Sequence, residues 1–283
     1  MRLGGPILET YHTPEEFVGL HRQKGYTAAY CPKDLKAGDH AAIKAYRDAL
    51  RDSDIVLAEV GAWSNPLSPD KKVADQAVAH MIERLELAEE LEAATCVNIV
   101  GSWHESHWYG PAAANFGQAF FDKAVEVGQK VIDAVRPKKT RMSFEIMPYS
   151  FLDGAEGYLE YLKALDRDAA AVHFDPANCI HSPRLFFDNA AFLARQFDLL
   201  KDRIVSIHLK DLFLHPDPPN VHLEEVPIGT GGLDYVSLLK VLSQLPENVP
   251  VMLEHLPDEP TYKQAAAAVR AFATQAGVRL YTQ

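Results

Sequence analysis

The chain has 283 residues, 47% hydrophobic and 24% charged, enough to bury a full core as one α/β domain over residues 1–283, and no Gly/Ser linker or charge block divides it. A formal charge of −11 opposes attraction to a polyanion and argues against nucleic acid as a partner. No apolar run reaches the roughly 18 residues of a membrane span and no basic, apolar leader opens the chain, so a cytoplasmic protein without membrane attachment is expected.

Strand-forming runs alternate with longer amphipathic stretches. The first strand is expected at 2–8, before a helix that closes near Gly25. Thr13 as N-cap, Pro14 at the first helical position and Glu16 at the third make a capping box for it. Strand 26–31 precedes helix 41–52, and strand 55–63 precedes the long helix 71–93. Strand 96–103 leads to helix 116–135, strand 142–147 to helix 155–165, and strand 170–175 to helix 189–200. Strand 204–209 with helix 234–245 and strand 250–255 with helix 261–276 bring the count to eight. Cys31, Cys96 and Cys179 fall in or just after apolar runs, odd in number and widely spaced, which indicates neither a disulfide framework nor a thiolate zinc site. Strict alternation needs parallel strands with crossover helices, and eight units favour a closed (β/α)8 TIM barrel. No Gly-x-Gly-x-x-Gly turn follows the first strand, which weakens an open dinucleotide-binding sheet.

Four of these strands end on metal-competent side chains: Glu145, Asp175, His208 and Glu254. Barrel chemistry sits at the C-terminal strand ends, and side chains two apart share a face. Ser143 with Glu145, His173 with Asp175, Ser206 with His208 and Lys210, and Met252 with Glu254 are therefore expected to face the lumen, with His173 one layer below the four. Taken alone, a strand-end carboxylate is more often a helix N-cap or an ion-pair partner than a metal ligand. Together, three carboxylates and an imidazole in one small volume need a cation, or some carboxyls must protonate. An oxygen-rich set with one nitrogen and no sulfur suits Mn²⁺ first, with Mg²⁺, Co²⁺ or Zn²⁺ as alternatives.

The segments Phe144-Glu145-Ile-Met-Pro148, His173-Phe-Asp175-Pro-Ala-Asn178, Ile207-His208-Leu-Lys-Asp211, Leu253-Glu254-His255 and Ile228-Gly-Thr-Gly-Gly-Leu-Asp234 resemble the xylose isomerase-like TIM-barrel superfamily. The sugar phosphate isomerase/epimerase branch is the nearest in pattern. The resemblance spans essentially the whole chain and implies a Glu–Asp–His–Glu metal set at Glu145, Asp175, His208 and Glu254. It also implies that Glu145 and Glu254 move a proton on either face of a sugar. Asn178 departs from the pattern, since many members carry histidine there; Asn can bond a hydroxyl but takes no proton.

The chemistry then expected is proton abstraction beside a carbonyl through a metal-bound enediolate, in a sugar isomerase or epimerase acting on a small sugar or polyol derivative. A carbon–oxygen or C-glycoside lyase shares every step up to that intermediate. An apurinic endonuclease-like hydrolase is disfavoured by Asn178 and the net charge, and a non-catalytic barrel by the complete ligand set. Substrate contacts are expected from Trp103, His104 and His107 in the loop after strand four, from Asn178 and His181 after strand six, and from Lys210. Trp63 and Trp108 belong to the same mouth, and Lys210 has Asp211 or Glu225 as further partners. His173 is expected to satisfy a core hydrogen bond or to orient Asp175. Gly229-Thr-Gly-Gly232 is the nearest approach to a phosphate cradle, and an unphosphorylated sugar is favoured. Members of the resembling family form dimers or tetramers, which makes a homo-oligomer an expectation from resemblance alone.

Overall fold

The computed structural model describes residues 1–217 and 220–282. Strands and helices follow in the order β1 (Arg2–Gly4), α1 (Pro14–Lys24), β2 (Ala28–Tyr30), α2 (His40–Asp52), β3 (Val56–Gly61), α3 (Lys71–Leu91) and β4 (Thr95–Asn98). Next come α4 (Gln118–Val135), β5 (Met142–Glu145), α5 (Ala155–Leu165), β6 (Ala170–Phe174), α6 (Pro183–Phe187), α7 (Asn189–Leu200) and β7 (Ile204–Leu209). The chain ends with β8 (Asp211–Leu214), β9 (Leu223–Val226), α8 (Tyr235–Leu242), β10 (Pro250–Leu253) and α9 (Glu259–Ala276). Eight parallel strands close in the order β1-β10-β7-β6-β5-β4-β3-β2, so the expected barrel is the observed one.

The α1 start shows how local chemistry sets the elements. Thr13 Oγ1 accepts from the Glu16 amide at 3.2 Å, while the Glu16 carboxylate accepts from the amide of His12 at 2.7 Å; the reciprocal bond of the box falls one residue early. Gly25 then closes the helix in the left-handed region, at φ 65°, where a residue without Cβ is unstrained.

The main core lies between strands and helices, with Phe120, Phe144, Tyr161, Phe174 and Phe197 fully buried. A separate small cluster of Ala28, Ala58 and Met252 with Tyr30 lies in phase with Glu254 along β10. Three short elements are additional to the sequence reading. Helix α6 is capped by Ser182, whose Oγ accepts from the Leu185 amide, and β8 and β9 form an antiparallel hairpin with Leu212 opposite Glu225. Among the described residues, no helix is long and apolar enough to cross a membrane.

Candidate metal centre

The ends of β5, β6, β7 and β10 bring Glu145, Asp175, His208 and Glu254 to one place, with a ligating atom of each within 4.8 Å of the others. His208 Nδ1 stands 3.1 Å from Glu145 Oε1 and 2.9 Å from Glu254 Oε2. Glu145, Asp175 and His208 are buried, whereas Glu254 opens partly into a cavity above.

Packing behind the site fixes these positions. The Tyr158 hydroxyl of α5 accepts from the Phe144 amide at 2.9 Å and faces the carbonyl oxygens of Phe144 and Ala171 at 2.6 and 2.9 Å. This clamp ties β5 to β6 one residue before Glu145. Asn178 braces the loop ends: its amide donates to Asp175 Oδ1 at 3.0 Å, and its Nδ2 reaches Ile146 O at 3.0 Å and Glu145 Oε1 at 3.4 Å.

Lys210 lies among the carboxylates, 2.8 Å from Glu254 Oε2, 2.9 Å from Asp175 Oδ2, 3.4 Å from Glu145 Oε1 and 4.0 Å from Glu225 Oε2. Of its two further candidate partners, Glu225 is near; Asp211 is engaged elsewhere. Burial opposes charge throughout the site. At Glu145 Lys210 and His208 overcome it and hold the carboxyl well below the usual range, while burial pushes Asp175 up to about 6. Burial would also discharge Lys210, but Asp175, Glu145 and Glu254 raise its pKa instead, so its ammonium persists.

A second buried carboxylate layer lies beneath. Glu59, in the middle of β3, accepts from His208 Nε2 at 3.1 Å, from His173 Nε2 at 3.1 Å and from the Ser206 hydroxyl. His173 is therefore tied to Glu59 and does not orient Asp175. Glu59 lies inside its strand and not at its end, and the signal for it in the sequence is a charge within an apolar strand.

The set fits a divalent cation. Asp175 Oδ2 and Glu254 Oε2 are buried and have no partner beyond the ion pairs with Lys210, at 2.9 and 2.8 Å, and, for Glu254, with His208 at 2.9 Å. Four carboxylates, counting Glu59, face one ammonium and two imidazoles, an excess of negative charge that a divalent ion at Glu145, Asp175, His208 and Glu254 would largely offset.

Above the centre opens a cavity of about 850 Å³, lined by Trp63, Trp108, Asn178, His181, Lys210 and Glu254 among others. Trp103, His104 and His107 are not in its lining. The loop folds on itself: His104 Nδ1 accepts from the amides of Ser106 and His107 at 3.2 and 3.1 Å, its ring meets that of His107 edge-on, and Trp103 packs edge-on against Phe120. Nor is the Gly-Thr-Gly-Gly turn an open cradle. Its amides at Gly229 and Gly231, at 3.0 and 3.1 Å, donate to Asp211 Oδ2, and the Leu233 amide donates to Oδ1.

Several solved structures share this fold at low identity. D-psicose 3-epimerase from Clostridium cellulolyticum H10, solved with D-tagatose, is 14% identical with a TM-score of 0.70, covering 99% of this chain and 100% of that one. A 3-keto-D-glucoside 4-epimerase from E. coli is 12% identical with a TM-score of 0.69, covering 97% and 99%. A xylose isomerase-like TIM barrel protein from Mycobacterium smegmatis in complex with magnesium is 14% identical with a TM-score of 0.66, covering 97% of each. No curated protein matches the chain by sequence. The family model described as xylose isomerase-like TIM barrel matches residues 20–272, and with it the chain belongs to the xylose isomerase-like TIM barrel family.

Proposed function

We propose that the protein is a divalent-metal-dependent isomerase or epimerase of a sugar or polyol derivative. The observation that carries this reading is the convergence of Glu145, Asp175, His208 and Glu254 beneath an open cavity that Glu145 and Glu254 line. The epimerases and the magnesium-bound protein among the structural neighbours support the reaction class and a divalent ion; Mn²⁺ is our first choice, on the donor set.

When bound, the ion polarises a carbonyl oxygen and the adjacent hydroxyl, which lowers the cost of removing the neighbouring C–H proton. Glu145 serves as the proton acceptor, because Lys210 and His208 keep its buried carboxylate ionised. Glu254, three strands round the barrel and partly open to the cavity, returns a proton from a different direction. Lys210 keeps its own proton and offsets negative charge gathering on substrate oxygens. The Trp63 ring, 6.2 Å from that of His208, walls the floor, and His181 lines the rim.

The test is incubation of Mn²⁺-loaded protein with ketoses in D₂O. Deuterium at C3 or C1 with an intact carbon–oxygen skeleton is the expected result. Loss of water or of an aglycone would reassign the chain as a lyase, and no incorporation with any ketose would contradict both.

A further inference from the structure

The cavity over the metal centre has two storeys of different chemistry. Its floor is polar: Glu145, Asn178, Lys210, Glu225 and Glu254. Its collar is apolar and aromatic, built from three separate segments. Trp108 and Tyr109 come from the loop after β4, Tyr149 from the loop after β5, and Val221 from the approach to β9. Twelve large apolar side chains are the most exposed among the described residues, and five of them line this one cavity: Trp63, Trp108, Tyr109, Tyr149 and Val221. Scattered exposed apolar residues are ordinary, but their gathering at a concave site points to a ligand.

Size points the same way. At about 850 Å³ the cavity lies in the upper part of the range of roughly 300–1,000 Å³ that encloses drug-sized ligands. A monosaccharide held on the polar floor leaves the collar uncovered. The rings of Trp108 and Tyr109 meet edge to face, 5.0 Å apart, so they form a fixed corner, and Tyr149 is 41% exposed. Polyhydroxylated rings need the floor; the collar offers aromatic and apolar area, with His181, His222 and His255 also in the lining. The hairpin β8–β9 adds to the contrast, presenting Leu223 and Glu225 to the cavity.

We propose that the substrate is a sugar bearing an apolar, aromatic-sized substituent remote from the reacting carbonyl, with the substituent seated against Trp108, Tyr109 and Tyr149. The assignment rests on the sugar-isomerase reading for the floor and adds the class of appendage that the collar takes. Stacking of the appendage on the fixed aromatic corner supplies binding energy away from the reacting carbons, where it positions the carbonyl over Glu145.

The test compares D-fructose with 6-O-benzyl-D-fructose, which keeps the C2 carbonyl and C3 hydroxyl and carries an aromatic group at the far end. Calorimetry on the Mn²⁺-loaded protein is expected to show at least tenfold tighter binding of the benzyl ether. In the W108A/Y149A variant, with folding checked by circular dichroism, that ratio is expected to fall toward one. Should W108A/Y149A fail to fold, Y149A alone is expected to lower the ratio, and an unchanged ratio in a folded Y149A overturns the assignment equally. Equal affinities, or a ratio unchanged by W108A/Y149A, overturns the assignment. Deuterium exchange separates the two readings: a benzyl preference that collapses in W108A/Y149A, with no exchange into either probe, contradicts the isomerase and leaves the collar assigned.

Discussion

Glu59 and His208 are joined across the barrel by a 3.1 Å hydrogen bond between Oε2 and Nε2, and it is this bond that determines which imidazole nitrogen faces the candidate metal centre. An ionised carboxylate only accepts, so Nε2 carries the proton. Nδ1 then presents its lone pair toward Glu145, Asp175 and Glu254 when a cation is held there. Glu59 is kept ionised against its burial by His208 and His173.

Replacing Glu59 with glutamine offers one acceptor where two imidazoles and a hydroxyl now bond. Mn²⁺ affinity of E59Q is expected to fall by roughly 10–100-fold, the usual cost of losing such a partner. Calorimetric titration of metal-stripped protein checks this, with the Mn²⁺ electron paramagnetic resonance spectrum reporting a changed ligand field. Unchanged affinity would remove Glu59 from the metal site.

Lys210 is the cation that the carboxylates share when no metal is present. K210M leaves Asp175 and Glu254 buried without that partner, and the metal-stripped variant is expected to lose about 3–5 kcal/mol of stability. Mn²⁺ then restores more stability to K210M than to the parent, because a competing charge has gone. Urea denaturation with and without Mn²⁺ measures both effects, and an equal metal-induced gain in the two proteins would contradict the prediction.

The clamp made by Tyr158 predicts a coupling between packing and ligation. Y158F removes a buried hydroxyl that meets three backbone groups of β5 and β6 and leaves the Phe144 amide without that acceptor. A loss on the order of 1–3 kcal/mol is expected, together with weaker Mn²⁺ binding, since Glu145 adjoins the loosened residue. Denaturation and calorimetry on Y158F test the two parts separately.

Acid sensitivity has a source away from the metal. His21 is buried, its Nδ1 bonded to Phe17 O at 2.8 Å and its Nε2 without a partner. Burial lowers its pKa from 6.5 to about 4. The unfolded chain therefore binds the proton first as pH falls, so stability is full above pH 6.5, declines from about 6.5 to about 4, and loses nothing further from this group below that. The decline from His21 is on the order of 3 kcal/mol. Denaturation midpoints of the parent and H21L across this window are expected to differ in slope, with the shallower slope in H21L.

The barrel was legible in the sequence because strict strand and helix alternation leaves few topologies. The convergence of Glu145, Asp175, His208 and Glu254 was legible because a charge that closes an apolar strand needs a partner, and four such charges in phase can share one cation. Glu59 shows the limit of that criterion: the rule that found Glu145 applies equally to a carboxylate inside 55–63, but strand-end position was the filter. The hairpin was hidden by its four-residue strands and by the charged Glu224 and Glu225, which read as loop. A loop rich in titratable groups says nothing about direction, and here the His104 ring nitrogen is taken by two amides of its own loop.

The most direct measurement of the central claim is anomalous diffraction from crystals grown with Mn²⁺. The account predicts one strong manganese peak bonded by Glu145, Asp175, His208 and Glu254, lost in crystals of D175N. A peak at another place, or full occupancy retained in D175N, would contradict it.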